Sequence, residues 1–136
     1  MEYPRSKPSP LWHRISVLVL SLAVGVTTAH AQRSIGYSSV AAARQAVVAA
    51  PGATTSQQAG WLIVEDKATR SLWSFVPNDH EAYPAAVKRT VAQRDDGRAF
   101  IDMSILCEAP KPACDRLAES FKALNEQTIR SLGGGR

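Results

Sequence analysis

The stretch AVKRTVAQR (residues 86–94), DDG (95–97) and RAFIDMSILC (98–107) decides the fold. Two runs rich in β-branched and apolar residues flank a turn signal, the pattern of a β-hairpin. Two loops fit it. A two-residue Asp96-Gly97 loop would pair Val91 with Asp102 and Lys88 with Ile105. A three-residue loop with Gly97 left-handed in a bulge would pair Val91 with Ile101 and Val87 with Ile105. The second choice also sets Thr90 opposite Asp102 and Lys88 opposite Ser104. It sorts apolar from polar residues onto opposite faces, and a one-residue slip would mix them. The three-residue loop is therefore the expected one, with Ala99, Ile101, Met103, Ile105 and Cys107 on the inner face.

Downstream, a helix is predicted from near Pro112, a residue tolerated in the first turn. Cys114, Leu117, Ala118, Phe121, Leu124 and Thr128 follow helical spacing on its apolar side. The strand period puts Cys107 on the inner face and the helix period puts Cys114 on the buried stripe. The chain has two cysteines. In an oxidising compartment such a pair forms a disulfide; a reactive thiol or half a metal site are the alternatives. Gly133 to Arg136 reads as a flexible tail.

Upstream, Trp61-Leu62-Ile63-Val64 and Ser71-Leu72-Trp73-Ser74-Phe75-Val76 read as strands joined by a turn at Asp66-Lys67-Ala68-Thr69, which would set Glu65 opposite Arg70. Pro77 to Pro84 is a loop with a proline at each end. A helix over Val40 to Ala50 is capped by Ser38 or Ser39 and stopped by Pro51-Gly52, with Val40, Ala43, Val47 and Ala50 on a narrow stripe. Ala53 to Gly60 is polar, either a loop or a short first strand. The expected class is α+β: a two-layer domain with an antiparallel four-stranded meander and both terminal helices on one face (α-β-β-β-β-α).

The N-terminus has the three parts of an export signal. Arg5, Lys7 and Arg14 are basic, Ile15 to Val26 is apolar, and Ala29-His30-Ala31 supplies small residues before a cut at Gln32. As helix, the apolar run would span roughly 18 Å, short of a hydrocarbon core of about 30 Å. No cysteine or twin-arginine pair accompanies it, which points to general secretion rather than lipidation or the twin-arginine route. The predicted organisation is thus a signal peptide at 1–31 and a single small domain at 32–136. Losing Arg5, Lys7, Arg14 and Glu2 lowers the net charge from +4 to +2. That balance gives no ground for a nucleic-acid partner, and no membrane span is expected after cleavage. His13 and His30 leave with the leader, so His80 is the mature chain's imidazole; no metal or other cofactor is expected.

His80, Glu81 and Tyr83 are the candidate catalytic set, with Glu81 orienting the imidazole and Tyr83 donating a proton. A solvated or loop-bracing His80 is the plainer alternative. No Ser, Cys or Thr stands in a nucleophile-elbow context. Trp73, Phe75, His80, Tyr83 and Arg89 are the candidate binding residues. With both helices on one face, Trp61, Trp73, Phe75 and Tyr83 would decorate the other and mark a binding surface, unless they fill the core. Arg89 falls among apolar neighbours. It needs either a carboxylate from Asp115 or Glu119, or a route for its guanidinium to water. Lys88, Arg89, Arg94 and Arg98 could instead hold an anion, with Asp95, Asp96 and Asp102 opposing.

Trp73-Ser74-Phe75-Val76-Pro77, His80, Ala82-Tyr83-Pro84, Val87-Lys88-Arg89, Leu106-Cys107-Glu108-Ala109-Pro110 and Cys114 together resemble a pattern found in small exported proteins of proteobacteria. The resemblance covers residues 37–130. It implies a bacterial envelope protein of periplasmic or secreted location and lends no activity. The expected function is a non-enzymatic domain that binds a protein or cell-envelope component. A small hydrolase or lyase using the His80 loop, and a secreted enzyme inhibitor inserting residues 77–84, are the alternatives. Intact mass and N-terminal sequencing of protein from its native cells should give a chain that starts at Gln32; material starting at Met1 would refute the leader.

Overall fold

The structure, a computed structural model, describes residues 35–133. The predicted leader, its cleavage point after Ala31 and the last three residues of the tail lie outside the described residues. Seven elements follow in order: α1 (Val40–Val48), β1 (Ala53–Gln58), β2 (Trp61–Asp66), β3 (Ser71–Phe75), β4 (Ala85–Gln93), β5 (Ala99–Cys107) and α2 (Lys111–Gly133). The strands form a single antiparallel sheet in sequence order. The class is α+β, as expected, but the sheet has five strands rather than four. The polar ATTSQQ run is an edge strand. It is recruited by a two-residue loop, Ala59-Gly60, with both residues at positive φ (47° and 84°), as the twist of a tight hairpin requires.

The hairpin at β4 and β5 has the expected register: Val91 pairs with Ile101, Thr90 with Asp102, Lys88 with Ser104 and Val87 with Ile105. Gly97 takes φ 79°. Its N–H donates to the Arg94 carbonyl at 2.8 Å, and the Arg94 N–H donates to the Arg98 carbonyl at 2.9 Å. This is the three-residue loop with its bulge. The turn between β2 and β3 lies one residue further along than expected, over 67–70. Asp66 pairs with Ser71, so Glu65 faces Leu72 and not Arg70. The Asp66 carboxylate sets this turn: Oδ1 accepts from the N–H groups of Ala68 and Thr69, and Oδ2 from the Thr69 hydroxyl. An aspartate bonding the backbone two and three residues on is a strong local turn former.

The two helices lie on opposite faces, which corrects the two-layer expectation. One core joins Ile35, Val40, Ala43 and Val47 to Val64, Trp73, Phe75 and Ala86. The other joins Ala113, Leu117 and Phe121 of α2 to Val76, Ala82, Ala85 and Val87. Ala86 and Val87 are neighbours in one strand, and successive strand residues point to opposite faces. The register explains the split. Trp73 pairs with Lys88 and Phe75 with Ala86, so both aromatics sit on the face away from Val87 and need a cover of their own. Helix α1 supplies it. Its N-cap is Ser39, whose hydroxyl accepts from the Ala42 N–H at 3.1 Å. Helix α2 buries Ala113, Leu117 and Phe121, while Leu124, expected on the stripe, is 41% exposed.

Cys107 and Cys114 form a disulfide with Cα atoms 5.9 Å apart. It joins the end of β5 to the first turn of α2, at the interface where the two periods converge. Closing this short loop contributes about 2.5 kcal/mol in the chain-entropy account. The double variant Cys107→Ser with Cys114→Ser should therefore lose about 2 to 3 kcal/mol in chemical denaturation while keeping the far-ultraviolet circular dichroism of the native chain.

Candidate functional site

Residues 77–84 leave β3 and return to β4 as a tightly bonded loop. The His80 N–H donates to the Pro77 carbonyl at 3.1 Å and the Tyr83 N–H to the His80 carbonyl at 2.9 Å. His80 Nδ1 accepts from the Ala82 N–H at 3.0 Å, which makes that nitrogen the unprotonated one. The ring stands edge-on to Trp61, 5.4 Å between centroids. Trp61 in turn packs on Phe121 at 5.8 Å. The imidazole thus braces the loop against the α2 core.

The other two members of the candidate catalytic set go elsewhere. Glu81 makes two hydrogen bonds to Arg116 on α2, at 2.8 and 2.6 Å. That pairing, above all its hydrogen bonds, holds the Glu81 carboxyl below its ordinary value of 4.5. Tyr83 is 46% exposed and lines a cleft of about 520 Å³ with Val40, Arg44, Val48 and Glu108, beside α1. The Glu81 carboxylate is thus engaged by Arg116, and Tyr83 borders the cleft beside α1. The inhibitor reading needs a projecting loop, and this one is pinned by the fully buried Ala82 and by the Glu81–Arg116 pair.

Two of the four aromatics weighed as a surface patch are core: Trp73 and Phe75 are each 3% exposed, stacked at 6.1 Å beneath α1. The four basic residues of the hairpin do not converge either. Lys88 lies 5.4 Å from the Trp73 ring on the α1 face. Arg94 stacks on Phe100 at 5.0 Å, and Arg98 pairs with Asp96 at 2.7 Å.

Arg89 remains. The register sets Glu65, Leu72, Arg89 and Met103 in one row across β2 to β5 on the α2 face. Neither expected carboxylate reaches it, since Asp115 pairs with Lys111 and Glu119 with Lys122, each at 2.6 Å. Its guanidinium lies 5.2 Å from the centre of the Phe121 ring. Its Nε is buried without a hydrogen-bond partner among the described residues. Burial lowers the Arg89 pKa from its ordinary value, because a desolvated cation is disfavoured. This arginine is one wall of a groove of about 960 Å³ between the β2–β3 turn and the C-terminal half of α2. Leu72, Val91 and Ile101 add apolar surface, Thr128 closes the helix side, and Glu65 and Arg70 stand in the opposite lining.

The sequence marked Arg89 as anomalous and left it two outcomes, a carboxylate from Asp115 or Glu119 or a guanidinium that reaches water; the first is not realised, since both acids pair elsewhere. It missed Arg116 and Glu108 altogether. Glu108 follows the strand and accepts the Val40 N–H at 2.8 Å, a contact no local pattern announces. Among the described residues, no three His, Cys, Asp or Glu side chains are grouped to hold a metal ion, and no helix is long and apolar enough to cross a membrane. Comparison with protein-family models, curated proteins and solved structures returns no match.

The Glu81–Arg116 brace carries a pH dependence. A carboxyl whose pKa is depressed by folding adds stability above its unfolded value, and that stability is lost as pH falls through the folded one. Thermal melts of the native chain and Glu81→Gln should thus differ most at neutral pH, with the native chain higher. The gap should close as the pH drops below 4.5; a gap independent of pH would show that the pair does not titrate as a unit with folding.

Proposed function

We propose that this chain is an exported, non-enzymatic binding domain of the bacterial envelope, and that its ligand docks in the groove beside Arg89. The observation that carries the reading is the state of that arginine: half-buried, with its guanidinium carbon over the Phe121 ring, and without a carboxylate partner among the described residues. A half-buried cation that no carboxylate of the described residues pairs with raises the free energy of the empty protein. An anion that reaches the guanidinium from the groove would recover part of that cost through charge-assisted hydrogen bonds. The bonds that take up His80 Nδ1 and the Glu81 carboxylate argue against the hydrolase or lyase reading.

Export rests on the leader and on the resemblance to small exported proteobacterial proteins. The disulfide is compatible with it, since such bonds persist in oxidising compartments. A periplasmic or secreted domain of this size gains rigidity from the bond and from the double-sided sheet, which suits a preformed site.

Photocrosslinking in intact native cells tests the proposal. Val91 lines the groove and is 52% exposed. Gln57 is exposed and lies on the α1 face of the sheet, opposite Leu62. A photoreactive residue at 91 should capture an adduct that the same residue at 57 does not. Equal labelling from both positions, or none from position 91, would remove the groove as the binding surface.

A further inference from the structure

We propose that the groove beside Arg89 takes a singly charged organic carboxylate with an apolar body: the carboxylate on the guanidinium, the body along Leu72, Val91 and Ile101. The inference rests on the binding reading above and adds the ligand's chemistry.

The head group follows from the geometry of the cation. A guanidinium presents its donors as a planar fork that matches a carboxylate with two parallel hydrogen bonds. The guanidinium carbon lies over the Phe121 ring at 5.2 Å, and this contact restricts the side chain before an anion arrives, which lowers the ordering cost of binding. The charge of the ligand follows from the neighbours. Glu65 shares the Arg89 row, two strands away, which at sheet spacing is about 10 Å. Asp66 also borders the groove, its carboxylate held by the turn. Lys67 and Arg70 on the same turn offset these two acids. With Arg89 added, the lining carries one net positive charge, enough for a monoanion and poorly matched to a dianion such as a phosphate monoester.

The body follows from the floor. Val91 is two residues from Arg89 on β4, about 7 Å along the strand, and its side chain is more than half exposed. Ile101 is its cross-strand partner, and Leu72 is the cross-strand partner of Arg89. These three present an apolar track that starts at the cation and runs toward the hairpin tip. A polar or doubly charged tail would gain nothing there, whereas a medium-length alkyl or aryl tail would leave water.

The test is a titration of the folded, oxidised domain, Gln32 to Arg136, with four probes followed by amide and arginine Nε–H resonances. Octanoate should shift Arg89, Leu72, Val91 and Ile101 in a saturable way. Octanol and octyltrimethylammonium should bind at least tenfold more weakly, and octyl phosphate should bind more weakly at a pH where it is a dianion. Arg89→Met should weaken octanoate at least tenfold and leave octanol unchanged. Val91→Glu, which keeps the arginine but adds a negative charge to the track, should weaken octanoate as well; as a surface change it guards against a folding defect in the first variant. Octanol binding as tightly as octanoate, or octyl phosphate binding more tightly, would overturn the carboxylate assignment. If octanoate gives no shifts while position 91 still crosslinks in cells, the ligand chemistry falls and the groove survives as a binding surface. If both are silent, both proposals fall.

Discussion

Ala85, Ala86 and Val87 stand next to one another in β4, and all three are buried. Since strand side chains alternate between faces, a run of this kind requires cover on both sides of the sheet. The rest of the architecture follows from that requirement. Helix α1 closes one face over Trp73 and Phe75, and α2 closes the other over Val87 and Met103. Two alanines allow the close approach, because the helices meet the sheet with little side chain between them. Ala43 of α1, fully buried, does the same from the other side.

The helices are held in place at one corner of the sheet. There the disulfide ties β5 to α2. One residue on, the Glu108 N–H donates to the Pro84 carbonyl at 2.9 Å, fastening β5 to the loop that precedes β4. The Glu108 side chain accepts from the first turn of α1, where a carboxylate also meets the positive end of the helix dipole. A single turn of chain thus secures both helices, the edge strand β5 and the entry to its neighbour β4. This explains how a sheet with two open edges can still present a rigid face.

That rigidity is what gives Arg89 its character. A free arginine on a strand would extend into water and lose its electrostatic hold on any ligand to screening. Here Phe121 sits over the guanidinium, and the covering helix keeps water from one side of it. The same helix ends the groove at Thr128. The loop that looked most chemical in the sequence serves instead as a strut: His80 leans on Trp61, which leans on Phe121. The ring that positions the arginine is thereby itself supported by the imidazole first considered as a general base. The link between the 77–84 loop and the groove is a chain of packed rings.

Local pattern carried the hairpin completely. Its register depended on a glycine that tolerates positive φ and on alternation that penalises every slip, both of which are properties of short segments. The same logic located both helices and brought Cys107 and Cys114 to one interface. It was weaker at the β2–β3 turn, because the bonds Asp66 makes to its own backbone compete with pairing of Glu65 and Arg70. It could not decide which face each helix covers, since that depends on cross-strand pairing of Trp73 with Lys88 and Phe75 with Ala86, residues joined only by folding. Nor could it find the partners of Glu81 and Glu108, which lie 35 and 68 residues away. By itself the sequence determined periodicity, turn chemistry and the export leader's composition, all set by neighbours along the chain. Tertiary structure alone decided the third layer, the burial of the aromatics and the isolation of Arg89, because each depends on what distant segments leave covered or uncovered.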